Sequence, residues 1–102
     1  MTAPSGPSGP VTPTDAVPVG GGIVLAAHGV VITQPREGEF RAFDARCTHR
    51  GCTVRSVVAG TINCLCHGSR FRITDGSVAG GPAPAPLPPR TIVVADGMIT
   101  LG

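Results

Sequence analysis

Tryptophan and tyrosine are absent from the sequence, and only three phenylalanines occur in its 102 residues. A chain of this length buries about 60–68% of the surface its unfolded form exposes. With so few aromatics the core is thinner still, and a staple such as a disulfide or a metal is expected. Lysine is absent too: eight arginines stand against six acids, for a net charge of +2. That balance is too small for the basic face of a nucleic-acid binder, and the phenylalanines are too few for a single-strand stacking platform. The longest apolar run, Ile23 to Ala27, falls far short of the ~20 residues of a membrane span. The N-terminus shows neither the basic nor the apolar region of a signal peptide.

Glycine and proline are plentiful, at 15 and 11 residues. Ten of the eleven prolines fall in two stretches, Pro4 to Pro18 and Pro82 to Pro89. Residues 1–16 are expected to be a flexible, extended tail; composition reads it equally as a disordered terminus or as a spacer from an anchor upstream. From Val17 onward short strands are expected. Val17 to Val19, Ile23 to Ala26 and Val30 to Thr33 are rich in β-branched residues and separated by glycines. Phe40 to Phe43 follows a turn, and Thr61 to Cys64 and Arg70 to Ile73 alternate polar and apolar residues. Thr91 to Ala95 and Met98 to Leu101 flank Asp96-Gly97, a preferred two-residue hairpin turn because both its positions need positive φ. No window carries a helical stripe, and no repeat is visible. The expected fold is all-β, an antiparallel β-sandwich or small barrel over residues 17–102.

All four cysteines and two of the three histidines crowd into two boxes, Cys47-Thr48-His49-Arg50-Gly51-Cys52 and Cys64-Leu65-Cys66-His67-Gly68-Ser69. Each box follows an expected strand, so two loops at one end of a β-scaffold could converge on one centre. Gly51 and Gly68 would let backbone N–H groups approach a ligand closely. Six candidate ligands exceed the four of a tetrahedral or two-iron site. A natural division gives two Cys and two His to a metal and pairs the other two Cys in a disulfide. Tetrahedral zinc is satisfied by two Cys and two His as well, although here each half-site pairs a Cys with a His. His28, beside Gly29, reads as an exposed turn residue.

The two boxes resemble those of the Rieske iron–sulfur proteins, C-T-H-x-G-C and C-P-C-H-G-S. Residues 43–83 carry the most specific part of the likeness. The resemblance implies one [2Fe–2S] cluster per chain, with Cys47 and Cys64 on one iron and His49 and His67 on the other. It puts Cys52 and Cys66 in the family's disulfide positions and makes the two boxes a cluster-binding subdomain of two loops. It also implies that Ser69 offers its hydroxyl to a bridging sulfide, and that Gly80-Gly81-Pro82-Ala83, with Pro82, covers the cluster. More closely, the chain resembles the small exported Rieske proteins of actinobacteria. There are two departures: Leu65 stands where proline is usual, and Phe71 where respiratory members carry a tyrosine that donates to a cysteine sulfur.

The function so implied is one-electron transfer rather than catalysis. Two ferric ions, two sulfides and two thiolates sum to zero charge, and neutral histidines add none. Adding an electron to such a centre costs less than adding one to an anion, which raises the potential to roughly −150 to +300 mV. An oxygenase would need a second iron held by two His and a carboxylate, and only His28 is left over. A ferredoxin or an electron-transfer subunit of an oxygenase or oxidase remains as an alternative, and a zinc-binding structural module as another. From Ala45 to Thr74 there are five arginines and no acid, which reads either as plain solvated surface or as a face that steers an acidic redox partner. The extra cysteine pair favours an oxidising, extracytoplasmic compartment. A monomer is expected.

Overall fold

The computed structural model describes residues 9–47, 52–66 and 68–102. The described residues form ten strands: β1 (Gly9–Pro13), β2 (Gly21–Leu25), β3 (Val30–Arg36), β4 (Glu39–Asp44), β5 (Ser56–Val58), β6 (Thr61–Asn63), β7 (Arg70–Arg72), β8 (Val78–Gly80), β9 (Ile92–Ala95) and β10 (Met98–Leu101). All pairings are antiparallel, in three sheets ordered β1-β10-β9, β2-β3-β4 and β5-β6-β7-β8. Two single 3₁₀ turns, Thr14–Ala16 and Ala26–His28, are the only helical segments among the described residues. None is long or apolar enough to cross a membrane.

The β2-β3-β4 sheet is the partition of the molecule. β3 is its middle strand, and Val30, Val31, Ile32 and Thr33 are all 0% exposed. Such a β-branched run suits a strand covered on both faces. Because side chains alternate along a strand, the cross-strand row Val24–Val31–Phe43 faces one way and the row Ile23–Ile32–Ala42 the other. The first row joins a core with Ala45, Cys47, Val54, Ile62, Cys64, Phe71, Ile73 and Leu87. The second joins Val17, Val30, Ile99 and Leu101 beneath the β1-β10-β9 sheet. The all-β sandwich expected from the sequence is thus built as three layers around one shared sheet.

Two polar ties reinforce the partition. Thr33 Oγ1 donates to Ile73 O at 2.8 Å, fastening β3 to the chain beyond β7. Gln34, also buried, donates from Nε2 to Val17 O at 2.6 Å and accepts from Gly38 N at 2.8 Å. Burying these groups is tolerable because each is hydrogen-bonded.

The Asp96-Gly97 hairpin forms as expected, with Ala95 paired to Met98 and φ of 54° and 75° at the two turn residues. An unexpected twin lies at Ala59-Gly60, φ 54° and 80°, between β5 and β6. Other expectations need correction. The tail expected over residues 1–16 gives way at Gly9, where β1 begins and pairs with β10. Pro10 and Pro13 disguise the strand by composition, but an edge strand tolerates residues without an N–H, and the buried Thr12 anchors it. Val17 to Val19 is not a strand; Val17 is instead a buried plug whose carbonyl is held by Gln34. His28 is exposed, in the turn before Gly29, as expected.

Candidate metal centre

The two ends of the first cysteine box, Cys47 and Cys52, are brought together beyond β4. An isolated bridge joins Arg46 to Thr53, Val54 N donates to Ala45 O at 2.7 Å, and Cys47 N donates to Cys52 O at 2.6 Å. The two ends of the loop are therefore clamped backbone to backbone. The second box links β6 to β7 and is closed the same way: Cys64 N donates to Ser69 O at 2.9 Å and Gly68 N to Cys64 O at 3.1 Å. Gly68, at φ 77°, makes the reversal that an L side chain would resist.

A disulfide joins Cys52 to Cys66 across the loops, with Cα atoms 6.5 Å apart. The other two cysteines stay outside it and are buried, Cys47 at 2% and Cys64 at 1% exposure, in the core that also holds Phe71. The sulfurs of Cys52, Cys64 and Cys66 lie within 4.8 Å of one another, so the disulfide is directly beside the Cys64 sulfur. Of the six box residues singled out by sequence, Cys52, Cys64 and Cys66 are brought together at their sulfurs, and Cys47 shares the buried core with Cys64. His49 and His67 lie outside the described residues, as do Arg50 and Gly51.

A third segment closes on the second loop. At Gly81, φ 85°, an added Cβ would fall 2.5 Å from Ser69 Cα and 2.6 Å from Gly68 O. Backbone meets backbone there, which only glycine allows. Pro82 follows on the surface and Ala83 is buried. The expected covering segment is thus seated on the second box.

Do these residues fit an iron–sulfur cluster? Ser69 gives the sharpest indication. Its side chain is 0% exposed, and its Oγ is the one buried side-chain polar atom among the described residues with no hydrogen-bond partner. A buried hydroxyl without an acceptor costs about 1–3 kcal/mol, and a sulfide acceptor within the loops would remove that cost. Cys47 and Cys64, buried in one core, could supply two thiolates. Three clustered sulfurs do not make a three-thiolate zinc site, since two of them are spent on the disulfide. The donor set fits the two-iron group.

The arginines divide in use. Arg72 Nη1 donates to Ser77 Oγ at 3.1 Å and to Val78 O at 2.8 Å. Close by, the Ser77 hydroxyl, then its N–H, with a further pull from Arg72, hold the exposed Asp75 carboxyl below its ordinary pKa. The Arg70 guanidinium lies over Gly80, where a Cβ would meet Nη2 at 2.7 Å. Arg55 instead lines an open recess of about 390 Å³ with Cys52, Thr53, Leu65 and Cys66. Leu65 is 70% exposed. The sequence marked Leu65 only as a departure from a family pattern; the structure puts its exposed apolar side chain at the rim of this recess.

A family model for the Rieske [2Fe–2S] domain matches residues 9–92. The cytochrome b6-f complex iron-sulfur subunit of Chlorobaculum tepidum is 36% identical over 93 residues, which are 89% of this chain and 51% of that one. The chain spans about half or less of the length of such curated relatives. Among solved structures, a cyanobacterial plasma membrane Rieske protein from Synechocystis aligns with a TM-score of 0.66 and 30% identity, covering 81% of this chain and 86% of the other. The ferredoxin of Sphingomonas yanoikuyae B1 aligns with a TM-score of 0.72 at 19% identity, covering 92% and 96%, a likeness of fold.

Proposed function

We infer that this chain, which belongs to the Rieske [2Fe–2S] domain family, carries single electrons between protein partners on a cluster held by Cys47, His49, Cys64 and His67. The observation that carries this reading is the pair of buried cysteines, Cys47 and Cys64, on two loops stapled by the Cys52–Cys66 disulfide, with the orphaned Ser69 hydroxyl in the same loop as Cys64. When bound, the cluster supplies a one-electron couple at a potential raised by its two histidine ligands.

The chain's own groups do the rest. The backbone clamps at Cys47–Cys52 and Cys64–Ser69 hold the loop ends, which fixes the backbone of Cys47 and Cys64. With the cluster bound, the buried Ser69 Oγ would donate a hydrogen bond to a sulfide acceptor. Phe71, wholly buried beside the cysteines, excludes water but offers no donor. The exposed Leu65 and Cys66 form an apolar rim beside the Cys64 sulfur, where a redox partner would dock. That partner is a redox protein with an acidic face, attracted by Arg46 and Arg55, both exposed.

The disulfide supports an oxidising, extracytoplasmic setting. Within this reading the folded domain starts at Gly9, and its cluster-binding part spans about residues 43–83. Service as a ferredoxin to an oxygenase is a second reading, favoured by a likeness of fold to the ferredoxin of carbazole 1,9a-dioxygenase from Nocardioides aromaticivorans. Metal analysis tests the proposal: two irons and two acid-labile sulfides per chain are expected. One zinc and no sulfide, in protein matured with ample iron, would overturn it.

A further inference from the structure

The four cysteines of the two loops are not equally hidden. Cys47 and Cys64 are buried, whereas Cys52 is half-buried and its disulfide partner Cys66 is exposed. Exposed disulfides are the labile ones, open to attack by a thiolate from solvent. Both bridged cysteines line an open recess of about 390 Å³, together with Thr53, Arg55 and Leu65. That volume is within the roughly 300–1,000 Å³ of small-molecule sites.

The walls of the recess state what it would take. Leu65 offers an apolar side chain, and Arg55, also exposed, offers a positive charge. Arg72 spends its guanidinium on Ser77 and Val78. Arg55, in contrast, makes no side-chain hydrogen bond or ion pair among the described residues. No acid occurs from Ala45 to Thr74 to offset it. A small molecule with a carboxylate for Arg55 and a short alkyl stem for Leu65 suits this lining, and a thiol at the end of that stem would meet the bridge.

We propose that this recess is a thiol-exchange site, at which a small carboxylate-bearing thiol held by Arg55 attacks the Cys66 sulfur and stays on it as a mixed disulfide. The incoming thiolate forms a bond to Cys66 Sγ. The Cys52–Cys66 bond breaks, and its electron pair leaves on Cys52 Sγ, which takes a proton from water. One disulfide replaces another, so no oxidant or reductant is consumed. Attack falls on Cys66 because it is the exposed partner. Departure of Cys52 as a thiolate is favoured by a cation lining the same recess. Exchange also unties the loops from each other, because the backbone clamps at Cys47–Cys52 and Cys64–Ser69 each lie within one loop. An oxidising setting keeps the bridge closed, and the site makes its state depend on the thiol that reaches this surface.

The test compares three small thiols on the purified protein: anionic mercaptopropionate, neutral mercaptoethanol and cationic cysteamine, with rate constants expressed per thiolate. Samples are quenched in acid, and the adduct is located by peptide mass mapping. Mercaptopropionate should react several-fold faster than cysteamine, with its adduct on Cys66. Arg55→Gln should abolish that preference and leave the mercaptoethanol rate little changed. Arg36→Gln, exposed at the end of β3, should change nothing. The mass readout is the same whether or not the chain carries iron, so a failure of the cluster reading leaves this test standing. An adduct on Cys52 alone, equal rates for the two charged thiols, or a bridge left intact under excess thiol would overturn the proposal.

Discussion

The two cores on either side of the β2-β3-β4 sheet contain similar residues and are held in different ways. The core beneath β1-β10-β9 rests on strands of four to seven residues with β-branched and leucine side chains interlocked across them. The opposite core rests on a sheet whose four strands are three residues each. Its loops are drawn in by backbone clamps and a disulfide, and they bury Cys47 and Cys64. One side is made by burial alone. The other adds a covalent staple to its burial, as suits a thin core with few aromatics. The shared strand β3 couples them, since consecutive residues face opposite cores.

This contrast is best broken by cutting equally into both sides. Ile99 and Ile62 are each 0% exposed, one in each core. Truncating either to alanine should cost about 2–5 kcal/mol. Ile99→Ala should lower the thermal stability of apo- and holoprotein alike. Ile62→Ala should instead release the cluster at a temperature below that of global unfolding, followed by visible absorbance against far-UV circular dichroism. Next in size is the staple. The bridge spans 14 positions, and a loop of that length contributes about 3 kcal/mol. Replacing both Cys52 and Cys66 by serine should accelerate cluster loss on heating, with the core around Ile99 little changed by amide exchange. Equal losses in both regions would show that the two cores melt as one.

Much of this division was legible in the chain, and the gaps have physical causes. The Asp96-Gly97 hairpin and the β-branched run at Val30–Thr33 declare themselves through local rules, turn chemistry in one case and residue shape in the other. β5 and β8 are too short to show a period, and the Ala59-Gly60 turn hides behind an alanine at φ 54° that only its neighbours can impose. β1 was concealed by the prolines that protect its edge. In the site, the two boxes announced the centre because ligand chemistry restricts residue type and spacing. The seating of Gly81 on the second box depends on a contact between segments twelve residues apart, visible only once the chain is folded.

Smaller changes sharpen the comparison further. Gly81→Ala forces a left-handed alanine, worth about 1–2 kcal/mol, and drives its Cβ into the backbone of Ser69. It should raise the rate of cluster loss several-fold while leaving the Ile99 core intact. An unchanged rate would mean the covering segment is not seated on that loop. Phe71→Tyr should scarcely touch stability and should raise the reduction potential by tens of millivolts, where about 59 mV is a tenfold change in a one-electron equilibrium. The new hydroxyl would donate towards a cysteine sulfur in the core that Phe71 shares with Cys47 and Cys64. Voltammetry of both proteins at one pH and salt decides it, and an unchanged or lower potential in an intact variant would place position 71 away from the sulfurs.

The central claim is that two cysteines and two histidines from these loops hold the iron. Electron–nuclear double resonance on the reduced holoprotein, with histidine selectively labelled with heavy nitrogen, tests it most directly. The account predicts two strongly coupled imidazole nitrogens that respond to the label and lose one partner in His67→Ala, if any cluster survives there. A reduced cluster with no coupled histidine nitrogen, or no paramagnetic iron centre at all in iron-replete protein, would contradict it.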